Sequence, residues 1–393
     1  MIYDDSPHVQ EITQRVLQFI EQVVIPAEAE AHTNDGLPPG RIQQLRTKAK
    51  SAGVYGPQLP AEYGGLGLNL EQIVPVFEAA GRSLLGPFIL NCSAPDEGNM
   101  HLLELLGTPE QKERYLRPVA NGDIRSCFCM TEPAPGAGSD PMMIQTRAVK
   151  DGNGWRISGR KWWSSGADGA GVYLVMAYSN PAQSPRNGCT IFLVEADNPG
   201  LKIKRRLGGL NLHAPGGHCE VEFQDCLVPP SAILGREGMG YAHAQARLGP
   251  ARLTHCMRWT GVAARALDIA VGYINHRQAF GKLLAEHQAL QWMVADSAME
   301  LHTGRLLVRH AARLICSGRE ARTEAAMAKV HVSEAVNRIV DRAIQMCGGL
   351  GVSDDTPLAD FYREARAFRI YDGASEVHRM VIARDVLKRQ TGR

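Results

Sequence analysis

The apolar residues of this chain change their period twice, and that change limits the possible folds more than any single motif does. From about Ser6 to Gly122, residues such as Val9, Ile12, Val16, Leu17 and Ile20 recur every three to four positions, the spacing of one face of an α-helix. Between about Arg125 and Glu237 short β-rich runs take over. Val172–Tyr178 and Thr190–Val194 are bounded by Gly, Pro and Asn, while Leu201, Ile203, Val221 and Phe223 alternate with polar neighbours. From about Gly240 the helical period returns in long segments. Leu290, Met293, Val294, Ala298, Leu301, Val308, Ala312 and Ile315 trace one face, and Val336, Ile339, Val340, Ala343 and Ile344 trace another. No long helical pattern separates the strands, which argues against a doubly wound parallel sheet. The expected class is α+β: an N-terminal α-helical domain over residues 1–124, a middle antiparallel β-barrel or sandwich over 125–237, and a C-terminal four-helix bundle over 238–393.

Local signals fit that division. Pro26 should break or bend the first helix, Gly348-Gly349-Leu350-Gly351 should stop the helix before it, and Tyr63-Gly64-Gly65-Leu66-Gly67 reads as a turn. That glycine run could cradle a phosphate, but no Lys-Ser/Thr follows it as a P-loop requires. The chain is long enough to bury a core without staples, and 44% apolar with 21% charged residues is a globular composition. A formal charge of only +2 gives no electrostatic reason to expect nucleic acid or a membrane surface as partner. No apolar run reaches the roughly 18 residues of a membrane span. The start, Met1-Ile2-Tyr3-Asp4-Asp5, lacks the pattern of a secretory signal, and the nine scattered cysteines read as reduced, mostly buried thiols. These features lead us to expect a cytoplasmic protein.

Metal and nucleophile patterns are weak. His213 and His218 lie in a Gly/Pro loop without a run of carboxylate ligands, so no metal site is expected, and no G-x-S-x-G elbow occurs. The basic cluster Lys202, Lys204, Arg205 and Arg206 reads first as a solvated strand face and second as a contact for an anion. More informative is Thr131-Glu132-Pro133-Ala134-Pro135-Gly136-Ala137-Gly138-Ser139-Asp140, whose small residues let backbone N–H groups approach a ligand and whose hydroxyls add donors. Soon after it, Gly159-Arg160-Lys161-Trp162-Trp163-Ser164-Ser165-Gly166 sets two indoles beside two hydroxyls, in a chain where aromatic residues are only 6%. That hairpin is either part of a core or one wall of a site for a planar cofactor.

Taken together, these strings resemble the acyl-CoA dehydrogenase family. The first is similar to its T-E-P-G-A-G-S-D signature, and Trp163 with Ser165 to its W-x-T/S flavin contact. Arg277-Gln278-Ala279-Phe280-Gly281-Lys282 and Glu286-His287-Gln288 resemble R-x-x-F-G-K…E-x-Q. Gln345-Met346-Cys347-Gly348-Gly349 matches Q-x-x-G-G, and Tyr371-Asp372-Gly373 resembles the Y-E-G of the catalytic loop. The motifs span about residues 125 to 390 in the family's order. Three departures are Asp372 where most members carry Glu, the extra Ala134-Pro135, and Trp-Trp-Ser-Ser-Gly in the hairpin. With Leu248–Leu253 and His255-Cys256-Met257-Arg258, they are similar to the branch of family members ten and eleven, in which an Asp base is normal.

The resemblance implies an enzyme that holds FAD between the β domain and the C-terminal helices. Phe128, Met130, Thr131, Gly138 and Ser139 would line the ring system, Trp163 would shield one flavin face, and Ser165 would bond near N5. Arg277, Phe280, His287, Gln288, Gln345, Gly348 and Gly349 would reach FAD across a subunit boundary, which requires a homodimer or homotetramer. Ala374 and Glu376 complete the expected cofactor set. Asp372 is the expected base, removing the C2 proton of an acyl-CoA thioester while a hydride leaves C3, with Arg252 beside it. Ser139, Gly249, Arg252 and Gly373 would contact substrate, and electrons would pass to an electron-transferring flavoprotein. Read on its own, Asp372 could instead cap the helix beginning near Ala374, and Arg277 could form a surface ion pair. Alternative activities are a flavin oxidase of the same fold, nitroalkane oxidase-like, or a nucleic-acid-binding relative using Arg363, Arg366, Arg369, Arg379 and Arg384.

Overall fold

The computed structural model describes residues 5–31, 36–210 and 214–391. Helix α1, Pro7–Phe19, starts where Ser6 accepts the Val9 N–H at 3.4 Å and Pro7 takes the first turn, where a missing N–H costs nothing. Its buried face is Val9, Ile12, Val16 and Phe19; of the predicted stripe Ile20, just beyond the helix, is also buried, while Leu17 is only half-buried. The chain does not break at Pro26. A wide π-helical turn over Ile20–Val24 precedes it, and helix continues through Ile25–Glu28. Helices α2, Pro39–Ser51, α3, Ile73–Ala80, and α4, Asp96–Leu106, complete the principal helices of the N-terminal zone. Between α2 and α3 the Tyr63–Gly67 run is a turn folded onto its own neighbours. A Cβ on Gly65 would fall 2.2 Å from the Leu59 carbonyl oxygen, so only glycine fits there.

The middle zone carries β1, Ser126–Cys129, β2, Arg147–Asp151, β3, Gly154–Ser165, β4, Val172–Tyr178, β5, Cys189–Glu195, β6, Leu201–Arg206, and β7, His218–Val228. They form one curled sheet in the order β1-β4-β2-β3-β7-β6, with β5 paired to β4. Most pairings are antiparallel, as expected, but β1 runs parallel to β4 in the register Ser126–Val172, and β2 meets β4 in parallel at Arg147–Tyr178. Apolar alternation encodes which face is buried and carries no information on strand direction. One sheet face, with Leu174, Met176, Ile191 and Leu193, packs on Leu59, Leu103 and Leu116 of the helical zone. The opposite face encloses Tyr173, Val175, Phe192, Val221 and Phe223.

Helices α5, Gly240–Ile274, α6, Gln288–Cys316, α7, Arg322–Cys347, and α9, Ser375–Thr391, make the C-terminal bundle, with α8, Leu358–Ala365, leading into the turn before α9. Gly348 ends α7 at φ +58°, as predicted. On α6 one expectation fails: Ala298 is exposed and Ser297 is buried in its place, its hydroxyl donating to the Met293 carbonyl at 2.7 Å. Residue 297 is four after Met293 and four before Leu301, whereas 298 sits one 100° step off that line. The N-terminal helices and the bundle share one hydrophobic core, in which Ile12, Val16 and Phe77 join Leu253, Val332 and Ile339. The eight buried cysteines and the exposed Cys316 are all free thiols. No described helix is long and apolar enough to cross a membrane.

Candidate active site

Where α4, β1, α5 and the turn before α9 converge, polar side chains are buried side by side. Asp96 of α4 accepts from the Ser126 backbone N–H at 2.7 Å and from its hydroxyl at 2.6 Å, and Asn99 donates to that hydroxyl at 2.9 Å. Arg247 of α5 in turn donates from Nε to Asn99 at 2.8 Å and lays its guanidinium over the Phe128 ring at 4.2 Å. Two turns further along α5, Thr254 donates to Glu97 at 2.9 Å, and Arg258 faces the same carboxylate at 3.6 Å. The β domain is thus pinned to α5 through hydrogen bonds to β1 and a cation on an aromatic face.

Asp372 sits at the mouth of this cluster with φ +53°, a conformation rare for a residue with a side chain. Its backbone is held from three helices. Arg252 of α5 donates from Nε to its carbonyl oxygen at 3.0 Å, and His378 of α9 donates from Nε2 to the same oxygen at 3.1 Å. Lys329 of α7, itself buried, donates to the carbonyls of Phe368 at 2.6 Å and Gly373 at 3.1 Å, which fixes both ends of the turn. Burial brings that lysine down to about 8, although Cys256 and Asp372 favour its cation. The carboxylate itself points to α5, where His255 Nε2 lies 3.3 Å from Oδ2. It does not cap α9, so the capping expectation is overturned.

Burial pushes Asp372 up, but His255 beside it and the Arg247 and Arg252 guanidiniums outweigh this and hold its carboxyl well below the usual range. Burial, reinforced by Arg258, lowers His255, so at neutral pH the ring beside the carboxylate is neutral and the standing positive charge is that of the arginines. Of these groups the sequence names Asp372, Arg252 and Gly373; Gly249, three residues before Arg252 on α5, has open space where a Cβ would stand. Lys329 and His378 were not named, and His255 had been noted only for its similarity to one branch. The spacing of Arg252 and His255, three apart on a helix, was the available signal.

The second group forms at the end of β1 and the β3 hairpin. The Trp162 N–H donates to the Thr131 carbonyl at 3.0 Å, and a bulge between Lys161 and Ser164 turns Trp163 outward at φ +52° with 43% exposure. Phe128 and Met130 are half-buried, and Gly138 and Ser139 are exposed, with open space where a Gly138 Cβ would stand. Glu132, near the start of that loop, is its anchor. Buried, it accepts from the N–H groups of Gln145 at 2.6 Å and Thr146 at 2.9 Å, and pairs with the buried Lys161 ammonium at 2.9 Å. Ser165 is 2.8 Å from His218 Nδ1 through its hydroxyl; His213 lies outside the described residues.

The remaining expected residues lie apart. Arg277 and Phe280 form an exposed hairpin tip beyond α5, with Phe280 at φ +51° and 96% exposed, and His287 packs edge-on to its ring at 6.3 Å. Gln288 opens α6, while Gln345, Gly348 and Gly349 are exposed at the end of α7. Among the described residues no hydrogen bond or ring contact joins either group to Asp372 or Trp163. Arg277 has no ion-pair partner among the described residues, so the surface-pair expectation is not met. Ala374 precedes α9, and Glu376 is exposed near Arg379 at 3.9 Å. The strand-face cations are paired, Lys204 with Glu222, Arg205 with Glu220 and Arg206 with Asp168.

Three domain models cover nearly the whole chain: acyl-CoA dehydrogenase N-terminal domain over residues 6–123, middle domain over 127–226 and C-terminal domain over 238–387. The chain belongs to the acyl-CoA dehydrogenase family. A Mycobacterium tuberculosis protein named "Probable acyl-CoA dehydrogenase FadE2" is 42% identical over 388 residues, covering 96% of this chain and 94% of that one. Acyl-CoA dehydrogenase family member 11 of Gallus gallus is 40% identical over 399 residues, 98% of this chain but 51% of its own length, so the chain spans about half of that relative. The solved structure described as "a putative acyl-CoA dehydrogenase from Mycobacterium abscessus" superposes with a TM-score of 0.93 at 37% identity, covering 99% and 100% of the two chains. The chain is accordingly an oxidoreductase of this family, whose members are FAD flavoproteins. The residues fit that cofactor: an exposed indole, half-buried Phe128 and Met130 and an open glycine loop make one wall for a planar ring, joined to the buried polar cluster where Arg247 lies over the Phe128 ring.

Proposed function

We propose that this protein carries out the α,β-dehydrogenation of an acyl-CoA thioester to the trans-2-enoyl-CoA, with Asp372 as the base that removes the C2 proton. The observation that carries the reading is the half-buried Asp372 carboxylate at the meeting point of the three zones, in a turn whose carbonyls are held by Arg252, His378 and Lys329. When bound, FAD supplies the acceptor for the hydride that leaves C3. Phe128, Met130, Thr131, Gly138, Ser139, Trp163 and Ser165 would hold its ring system. The Asp372 N–H would polarise the thioester carbonyl, which acidifies the C2 proton. Ser139, Gly249, Arg252 and Gly373 would contact the substrate.

A carboxylate held this low is a weak base while water reaches it. Filling the site with an acyl chain removes that water and strengthens the base when it is needed. The exposed tip at Arg277 and Phe280, with His287, Gln288, Gln345, Gly348 and Gly349, suits the FAD of a second subunit, Arg277 meeting phosphate oxygens as a two-pronged donor. A homodimer or homotetramer follows, with Ala374 and Glu376 flanking the site and an electron-transferring flavoprotein as acceptor. The basic C-terminal face does not favour nucleic acid, since Arg363 pairs with Asp360, and Arg369 with Glu334 at 2.9 Å. The test is anaerobic mixing of the FAD-loaded protein with straight, branched and hydroxylated acyl-CoAs. Bleaching of the flavin absorbance is expected with at least one. No bleaching by any of them, with oxygen uptake on nitroalkanes, would assign the fold to oxidase chemistry instead.

A further inference from the structure

We propose that His255 is a positioning residue for the Asp372 base, holding one carboxylate oxygen from α5 so that the other is turned toward the substrate. This inference rests on the assignment of Asp372 as the base. The Asp372 side chain is short, and its Oδ2 atom is buried with no aligned hydrogen-bond donor. Among the described residues the only basic nitrogen within 4 Å of the carboxylate is His255 Nε2, at 3.3 Å and off the ideal line. The ring is held in place in turn. It packs on Tyr371 at 4.8 Å and on Phe368 at 6.1 Å between centroids, and its side chain is only 14% exposed.

Arg252 and His255 are three residues apart, so one face of α5 takes hold of Asp372 at both ends, its carbonyl with Arg252 and its carboxylate with His255. That double hold explains how a residue at φ +53° keeps a single side-chain direction although its backbone conformation is disfavoured. It also suits an aspartate, whose reach is one methylene shorter than glutamate and which therefore tolerates less wandering. The groups acting on His255 are Arg258 on α5, Glu97 on α4 and Asp372 on the turn, with Tyr371 packed on its ring and Lys329 of α7 beyond the Tyr371 ring. With Glu97 facing Arg258 and the arginines already charged, a neutral imidazole can offer its Nε2–H to Oδ2 without adding a further positive charge that would weaken the base.

The experiment measures the rate of flavin reduction against pH, with KM, for the FAD-loaded wild type, His255→Leu, His255→Gln and His255→Asn. The substrate is whichever acyl-CoA reduces the wild type fastest. Removing the donor in His255→Leu should slow reduction about 10- to 100-fold, change KM less than about threefold, and move the acid limb of the rate to higher pH. Glutamine places a donor nitrogen near the position of Nε2 and should keep reduction within about fivefold of wild type, while asparagine is too short and should resemble leucine. An unchanged reduction rate with a raised KM would make His255 a wall of the acyl site and overturn the proposal. Equal rates for the glutamine and asparagine variants would also overturn it, and that comparison stands even where the leucine variant does not fold. If no acyl-CoA reduces the wild type, the function reading has failed. If the wild type is reduced and His255→Leu matches it, only the role of His255 has failed.

Discussion

The turn at Asp372 and the tip at Phe280 both place a residue with a side chain at positive φ, +53° and +51°, yet their surroundings are opposite. Asp372 is enclosed by its own chain, with Arg252, His378 and Lys329 on the turn's carbonyls and His255 at its carboxylate. Phe280 is 96% exposed, and Arg277 beside it has no ion-pair partner among the described residues. Strained backbone persists where something over-determines it. At Asp372 that something is present within one chain. At Phe280 it is not found among the described residues, which supports the proposal that the tip meets a neighbouring subunit's cofactor while the turn serves the chemistry.

Substitutions on each side should therefore separate cleanly. Arg252→Ala removes a hold on the turn from within the chain. We expect flavin reduction to fall about 100-fold with FAD content unchanged, read by stopped-flow absorbance on protein of known flavin loading. Loss of FAD instead would mean that the two regions are not independent. Arg277→Ala combined with Phe280→Ser should weaken FAD binding about tenfold, as followed by flavin fluorescence on dilution, and leave reduction of the loaded protein within about threefold of wild type. A large loss of reduction rate there would break the comparison.

The smallest effect concerns pH. Burial, with Arg252 nearby, lowers His378 from 6.5 to about 4 in the folded protein. Between these values the unfolded chain binds the extra proton, so the contribution is present above 6.5 and is lost as pH falls through 4. His378→Gln should flatten the acid side of the stability curve over that window, measured as the difference in thermal midpoint from wild type. An unchanged acid slope would show that His378 is not held neutral at the Asp372 carbonyl.

How much of this could be read from the chain depends on how local each feature is. Asp372 and Arg252 were legible because each stands in a short motif, Tyr371-Asp372-Gly373 and Gly249-Pro250-Ala251-Arg252. The stripes of α1 and α7 were legible from their period, and the α–β–α order followed from its changes. Lys329 and His378 were not, because they work through carbonyl groups that periodicity does not see, in one case 44 residues away. Glu132 was hidden for the same reason: its partners are backbone N–H groups 13 and 14 residues on and a lysine buried in β3. The parallel pairing of β1 with β4 was invisible because alternation reports faces and not direction. Asp372 itself fits a helix-capping pattern, and only the position of His255 on α5 shows which way its carboxylate points.

The most direct test of the central claim sets wild type and Asp372→Asn side by side in anaerobic acyl-CoA titrations. The two should bind FAD alike, and with the best acyl-CoA the wild-type flavin should bleach while the variant's reduction rate is lower by about 1,000-fold or more. Bleaching of the variant at a rate close to wild type would contradict the account and move the base to another residue.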